Sequence, residues 1–156
     1  MPDFDLASRA AYRHWSPVTI RFSDQDSLGH INNVALAQYF EVARTAFIYD
    51  VIRLARMEGT IEFILARIAI DFVAELHYPG SVEVGARLIR VGNKSLTSGY
   101  GIFGGERCIA TSEAVNVFYD MNSRRSTVPP NRLREILTAE IRAPSLEATP
   151  IRTPCR

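Results

Sequence analysis

The chain has 156 residues, a formal net charge of +1, a hydrophobic share of 47% and a charged share of 22%. That size suits one domain with a proper core, and the balanced charge excludes the global basic field that drives nucleic-acid binding. The two cysteines, Cys108 and Cys155, form neither a disulfide framework nor a metal-ligand spacing, which suits a reducing cytoplasm.

Met1 to Ala11 mixes charges and lacks an apolar run, so no signal peptide is expected. Trp15 to Ser23 alternates, with Val18, Ile20 and Phe22 on one side, and predicts a half-buried strand. After a loop from Asp24 to Asn33, Val34 to about Met57 predicts one helix about 35 Å long, capped by Asn32 or Asn33. Glu41, Arg44, Asp50 and Arg53 interrupt its apolar run, so no membrane span is expected. Gln38, Glu41, Thr45, Arg53 and Arg56 fall on one narrow strip, and Val34, Ala37, Phe40, Ala43, Phe47, Val51 and Leu54 lie away from it. A helix so apolar must be wrapped, and a curved sheet would wrap it.

Beyond Glu58-Gly59-Thr60 the period becomes two. Ile64, Ala66, Ile68, Ile70, Phe72, Ala74 and Leu76 make the expected inner face of a long strand. Tyr78-Pro79-Gly80 turns the chain into a strand from Val82, Gly92-Asn93 into one from Leu96, and Gly104-Gly105 into a last strand from Cys108 to Tyr119. Short turns between consecutive strands predict an antiparallel meander. A short polar helix follows from Asn131 to Arg142, behind Pro129-Pro130. The fold class is therefore α+β, with a single domain over 1–142 and a loose, flexible tail over 143–156. Arg124, Arg125, Arg132 and Arg134 read as a solvated basic face.

The acidic loop Asp24-Gln25-Asp26-Ser27-Leu28-Gly29-His30 carries the chemistry. An EF-hand loop needs an oxygen side chain at its fifth position and glutamate at its twelfth, where Leu28 and Ala35 stand. A metal site from Asp24, Asp26 and His30 lacks a second histidine or cysteine at ligand spacing, and no metal is expected. The plain alternative is a turn, capped by the two aspartates, with Gly29 in a left-handed conformation. Phosphate-binding, dinucleotide and serine-elbow motifs are missing, and Cys108 reads as a buried structural thiol. A carboxylate next to the free N–H groups of a helix start can perform acid–base or nucleophilic chemistry while those groups hold an oxyanion.

Arg21-Phe22-Ser23-Asp24-Gln25-Asp26-Ser27-Leu28-Gly29-His30-Ile31-Asn32-Asn33, followed by Tyr39-Phe40-Glu41-Val42-Ala43-Arg44, resembles the hot-dog-fold acyl-CoA thioesterases. The branch it is most similar to is that of 4-hydroxybenzoyl-CoA thioesterase and its YbgC-like and long-chain acyl-CoA relatives. The resemblance runs from about Trp15 to Tyr119. It implies a long central helix wrapped by a five-stranded antiparallel sheet, joined through the sheet into a homodimer that can build a homotetramer. It implies a cytoplasmic enzyme that hydrolyses an acyl-CoA thioester without a cofactor.

By the same resemblance Asp26 is the catalytic carboxylate, acting as nucleophile or as base toward water. Asp24 holds the loop, and the backbone N–H of Asn33 polarises the thioester oxygen. Gly29 allows close approach of substrate, His30 either touches substrate or bonds within the loop, and Asn32 stands beside them. Ser95 and Thr97 are expected along the pantetheine arm, and Arg90, Lys94 and Arg107 are candidates for the coenzyme A phosphates. Glu41 and Arg44, one turn apart, read as an ion pair. Leu36 departs from the tyrosine common in relatives, near the acyl pocket. Two rival readings remain: a hot-dog dehydratase, for which His30 is the candidate within the motif, and an acyl-CoA-binding module without turnover.

Overall fold

A computed structural model of the protein describes residues 4–55 and 60–143. The expected helix end at Met57 and, apart from Ala143, the expected tail over 143–156 lie outside the described residues.

The elements in chain order are β1 (His14–Thr19), α1 (Asn33–Ala55), β2 (Ile61–Phe72), β3 (Ser81–Val91), β4 (Ser95–Gly104), β5 (Arg107–Asp120), β6 (Arg125–Ser126) and α2 (Asn131–Arg142). The sheet runs β1-β3-β4-β5-β2, with every neighbour antiparallel. The expected meander is present as β3-β4-β5. A two-residue β6 beside β5 adds to the five strands foreseen.

β1 and β2 stand at opposite edges of the sheet, yet only α1 joins them. At about 4.8 Å per strand that link must cross about 19 Å. The helix therefore lies across one face, and the sheet curls round it. Its buried stripe of Leu36, Tyr39, Phe40, Ala43, Phe47 and Val51 meets Val82, Val84, Leu88, Tyr100, Ile102, Ala114 and Phe118 of the sheet, and Leu133 and Leu137 of α2 close the core. This is the hot-dog arrangement.

Four local expectations need correction. The first strand ends at Thr19 rather than Ser23. Phe22 lies in a one-turn helix over Phe22–Asp24 and is 74% exposed, because the Asp24 side chain folds back onto the Arg21 backbone N–H. The inner face of β2 switches parity at a bulge between Leu65 and Arg67. Ile61, Phe63 and Leu65 pack inward before it and Ile70 after it, while Ile64 points out. One inserted residue moves the whole alternation to the other face. Finally, α1 is not wrapped on all sides: Val34, Val42 and Tyr49 lie exposed along with Gln38, Glu41, Thr45 and Arg53.

The amino-terminal segment had no predicted structure and proves to be an arm on the outer face of the sheet. Tyr12, 1% exposed, stacks edge-on with Trp15 and Phe103. Its ring occupies the space that a side chain at Gly85 would fill, with Tyr12 Cγ only 2.4 Å from the place of a Cβ there.

Candidate active site

Arg21 to Asn33 sits at the end of the sheet where β1 gives way to α1. The loop is closed on itself: Gln25 and Ile31 form an isolated bridge, the Asp26 N–H donates to the His30 carbonyl (2.8 Å), and the Gly29 N–H donates to the Asp26 carbonyl (3.1 Å). Gly29 makes this turn possible with φ of +78°, a conformation costly for other residues. The Ile31 N–H donates to the Leu76 carbonyl (2.8 Å), tying the loop to the link between β2 and β3.

The two aspartates have opposite surroundings. Asp24 is 3% exposed, and its carboxylate accepts from the Arg21 backbone (3.0 Å), the Arg21 guanidinium (2.9 Å) and the Tyr39 hydroxyl (2.5 Å). Burial alone would raise its pKa, but the Tyr39 and Arg21 hydrogen bonds outweigh it and hold the carboxyl below the usual range. Asp24 is a buried anion fixing the loop. Asp26 stands exposed at the lip, where its Oδ1 accepts from the N–H groups of Leu28 (2.9 Å) and His30 (3.2 Å). Among the described residues its Oδ2 has no hydrogen-bond partner.

Asn32 is the helix cap. Its Oδ1 accepts from the Ala35 N–H (2.7 Å), and its own N–H donates to the Asp24 carbonyl (2.9 Å). Those two bonds hold Asn32 at the start of α1. Asn33 opens α1, and among the described residues neither its N–H nor that of Val34 meets an acceptor, as expected of a first turn. Asp24, Asp26, Asn32, Asn33 and Val34 all border one open cleft of about 460 Å³. A carboxylate with a free oxygen and a helix amino terminus thus share one hollow.

The other expected site residues are not all gathered here. Gly29 is exposed and its carbonyl faces Nδ1 of His77 (3.1 Å), while Nε2 of His30 lies 3.4 Å from Glu75. Asp24, Asp26 and His30 therefore turn toward three different sets of neighbours, and the metal site conceivable from their spacing does not form. Lys94, Ser95 and Thr97 lie at the far end of the sheet. β3 leaves the loop at Ser81, opposite Thr19, and ends at Val91 opposite Leu96, about 30 Å away at 3.3 Å per residue. Arg90 shares that end with Lys94, whereas Arg107, paired with Gly104, is at the other. Glu41 and Arg44 form the ion pair foreseen, with Arg44 Nε donating to Glu41 (2.9 Å).

Sequence reasoning missed Tyr39, Arg21, Glu75 and His77. Arg21 and Asp24 are three apart, a spacing that signals a pair, and Glu75-Leu76-His77 is a two-apart carboxylate and imidazole. Nothing in the sequence places Glu75 and His77 near the loop without the fold.

No helix among the described residues is long and apolar enough to cross a membrane. No curated protein matches the chain significantly. Solved structures do. A thioesterase from Thermus thermophilus, complexed with coenzyme A and Zn, is 25% identical, with a TM-score of 0.71 over 85% of this chain and 97% of that one. A predicted thioesterase from Bacillus stearothermophilus is 25% identical, with a TM-score of 0.72 over 84% and 98%. YbaW, a probable thioesterase from Escherichia coli, is 19% identical over 83% and 99% and shares the fold with a TM-score of 0.72. The family model of the Thioesterase-like superfamily matches residues 20–137, from just after β1 into α2, and the chain belongs to that superfamily.

Proposed function

We propose that the protein hydrolyses an acyl-CoA thioester to a free acid and coenzyme A. The observation that carries this reading is the pairing of Asp26, with its unengaged Oδ2, and the first turn of α1 on one cleft. A water deprotonated by Asp26, or Asp26 itself, adds to the thioester carbon. The Asn33 N–H and the positive end of a 23-residue helix hold the resulting oxyanion. Collapse breaks the C–S bond, and the thiolate leaves without needing full protonation; where Asp26 is the nucleophile, water then opens the mixed anhydride to the free acid and restores the carboxylate. A thioester is open to so sparse a site because its carbonyl is less resonance-stabilised than that of an amide. The membership in the superfamily and the coenzyme A carried by the Thermus thioesterase support the substrate class.

The unit that works, in this reading, is a homodimer. The two sheet edges differ: β1 is six residues long and carries Pro17, whereas β2 is 12 residues long and has no proline or glycine. β2 leaves Ile64, Ile68 and Phe72 at least 40% exposed. A long apolar edge invites strand pairing. Two β2 strands paired antiparallel would bring the partner's far sheet end, with Lys94, Ser95 and Thr97, toward the Asp26 loop. That would unite residues which one chain holds about 30 Å apart. Cys108, a free thiol whose pKa burial raises, accords with a cytoplasmic setting.

The test is thiol release from a panel of aliphatic and aromatic acyl-CoA esters. Asp26→Asn and Asp26→Ala should lower kcat by about 10² to 10⁴ while the proteins melt like the parent. A folded Asp26→Ala enzyme with undiminished turnover would remove the mechanism. Enoyl product from 3-hydroxyacyl-CoA would favour the dehydratase, and tight binding without release the non-catalytic module.

A further inference from the structure

Two of the three histidines in the chain converge on one carboxylate beside the catalytic loop. Nε2 of His30 and Nε2 of His77 lie 3.4 and 3.5 Å from the same oxygen, Oε2 of Glu75. All three atoms fall within 4.8 Å of one another. The rings meet edge to face with centroids 5.0 Å apart.

Hydrogen-bond chemistry makes this cluster unusual. Nδ1 of His77 is 3.1 Å from the Gly29 carbonyl, which can only accept, so that nitrogen carries the ring proton. In the neutral ring Nε2 then keeps its lone pair. That lone pair faces a carboxylate oxygen, another acceptor. Two acceptors at 3.5 Å gain nothing from each other unless a proton or a metal ion lies between them. A carbonyl that fixes one imidazole nitrogen while the other points at a common centre is the usual outer-shell support of a metal-binding histidine.

The two distances to Glu75 also fit an ion. Ligand atoms about 2.0 to 2.1 Å from a tetrahedral zinc are about 3.4 Å from each other. Two imidazoles and one carboxylate select a transition metal of the zinc class over calcium or magnesium, which prefer oxygen ligands throughout. Glu75 and His77 come from the link after β2, and His30 from the acidic loop. Because these side chains are 62%, 56% and 32% exposed respectively, a water can complete the fourth position.

We propose that His30, Glu75 and His77 bind one divalent transition-metal ion of the zinc class and thereby clamp the Asp26 loop to the β2–β3 link. His30 passes the effect on, since its N–H donates to Asp26 Oδ1. In this role His30 is a metal ligand and not a substrate contact. Binding itself does not rest on the thioesterase reading.

The experiment uses the full chain stripped of metal with a chelator, titrated calorimetrically with Zn²⁺ and, separately, with Co²⁺. The expected result is saturation at one ion per chain, and visible Co²⁺ bands of the intensity that tetrahedral sites give. His77→Ala and Glu75→Gln should each weaken Zn²⁺ binding at least about tenfold. His14→Ala, which alters the histidine paired with Glu140 in another part of the molecule, should bind as the parent does. Melting of each metal-free variant checks its fold, and the Co²⁺ spectrum of the parent stands without any variant. Absence of saturable binding, equal affinity in His77→Ala and Glu75→Gln, or equal loss in His14→Ala would overturn the proposal. These readouts need no substrate, so their failure would leave the Asp26 test standing.

Discussion

The Tyr39 hydroxyl donates to Oδ2 of Asp24 across 2.5 Å, fastening the second turn of α1 to the loop that precedes the helix. The same oxygen accepts from the Arg21 backbone N–H, so one buried carboxylate joins the segment that follows β1, the acidic loop and α1. Burial, and then the hydrogen bond to the Asp24 anion, push the Tyr39 phenol well above its ordinary range, which keeps it a neutral donor. The position of Asp26, two residues on, depends on this anchor. Tyr39→Phe removes the donor and leaves the anion to Arg21 alone. The expected loss is about 2 kcal/mol of stability, the size of a hydrogen bond to a buried charge, read by urea unfolding. A change below about 0.5 kcal/mol would show that the bond adds nothing.

Asp24 also sets an acid limit. Its pKa in the folded protein lies below that of the unfolded chain, which is about 3.9. Its contribution is therefore complete above the unfolded value and is lost as pH falls through the lower folded value. The urea midpoint of the parent should drop steeply below about pH 4. Asp24→Asn should be less stable at neutral pH and follow a flatter acid limb. Parallel curves for the two proteins down to the acid end would remove Asp24 from the account.

The outer face of the sheet offers a packing test that does not involve the site. A Cβ at Gly85 would lie 2.4, 2.7 and 2.8 Å from Tyr12 Cγ, Cδ2 and Cβ, and Tyr12 has nowhere to move, being 1% exposed between Trp15 and Phe103. Gly85→Ala should cost about 1 to 3 kcal/mol through overpacking. In a Tyr12→Ala background the same change should cost much less, so the double-mutant cycle shows a coupling of about 1 kcal/mol or more. Additive effects would mean that the arm does not press on β3.

Much of this architecture is legible from residue patterns because burial and period coincide there. The meander β3-β4-β5 follows from alternation and from turns at Gly92-Asn93 and Gly104-Gly105, and α1 from its apolar run behind Asn32. What escapes are features that local pattern does not encode. The bulge near Ala66 reverses the alternation of β2 without any proline or glycine to announce it. Phe22 continues an apolar alternation yet turns outward, since the carboxylate of Asp24 captures the Arg21 N–H and ends the strand. Tyr12 and the arm reveal themselves only through small residues far along the chain, at Gly85, Gly99 and Gly101. In the loop, residue types point to acid–base chemistry, but residue type alone does not distinguish two aspartates two residues apart. The meeting of His30 with Glu75 and His77 needs the hydrogen bond from Ile31 to Leu76, a contact between segments 45 residues apart.

The proposed dimer depends on the β2 edge, and Ile68 is the residue to alter. It is 40% exposed and pairs with Ala114 of β5, so a lysine there meets water in a single chain and should leave the fold intact. In a continuous sheet the same lysine would be carried to the seam, where an uncompensated charge costs several kcal/mol. Ile68→Lys should sediment as a monomer at concentrations where the parent is a dimer, while its circular dichroism stays unchanged. Thiol release should fall with dissociation, because each Asp26 loop would lose the far sheet end that the second copy supplies. A dimeric Ile68→Lys protein with full turnover would show that the subunits meet elsewhere. A monomer with full turnover would show instead that one chain holds the complete site, and that Lys94, Ser95 and Thr97 serve no part of it.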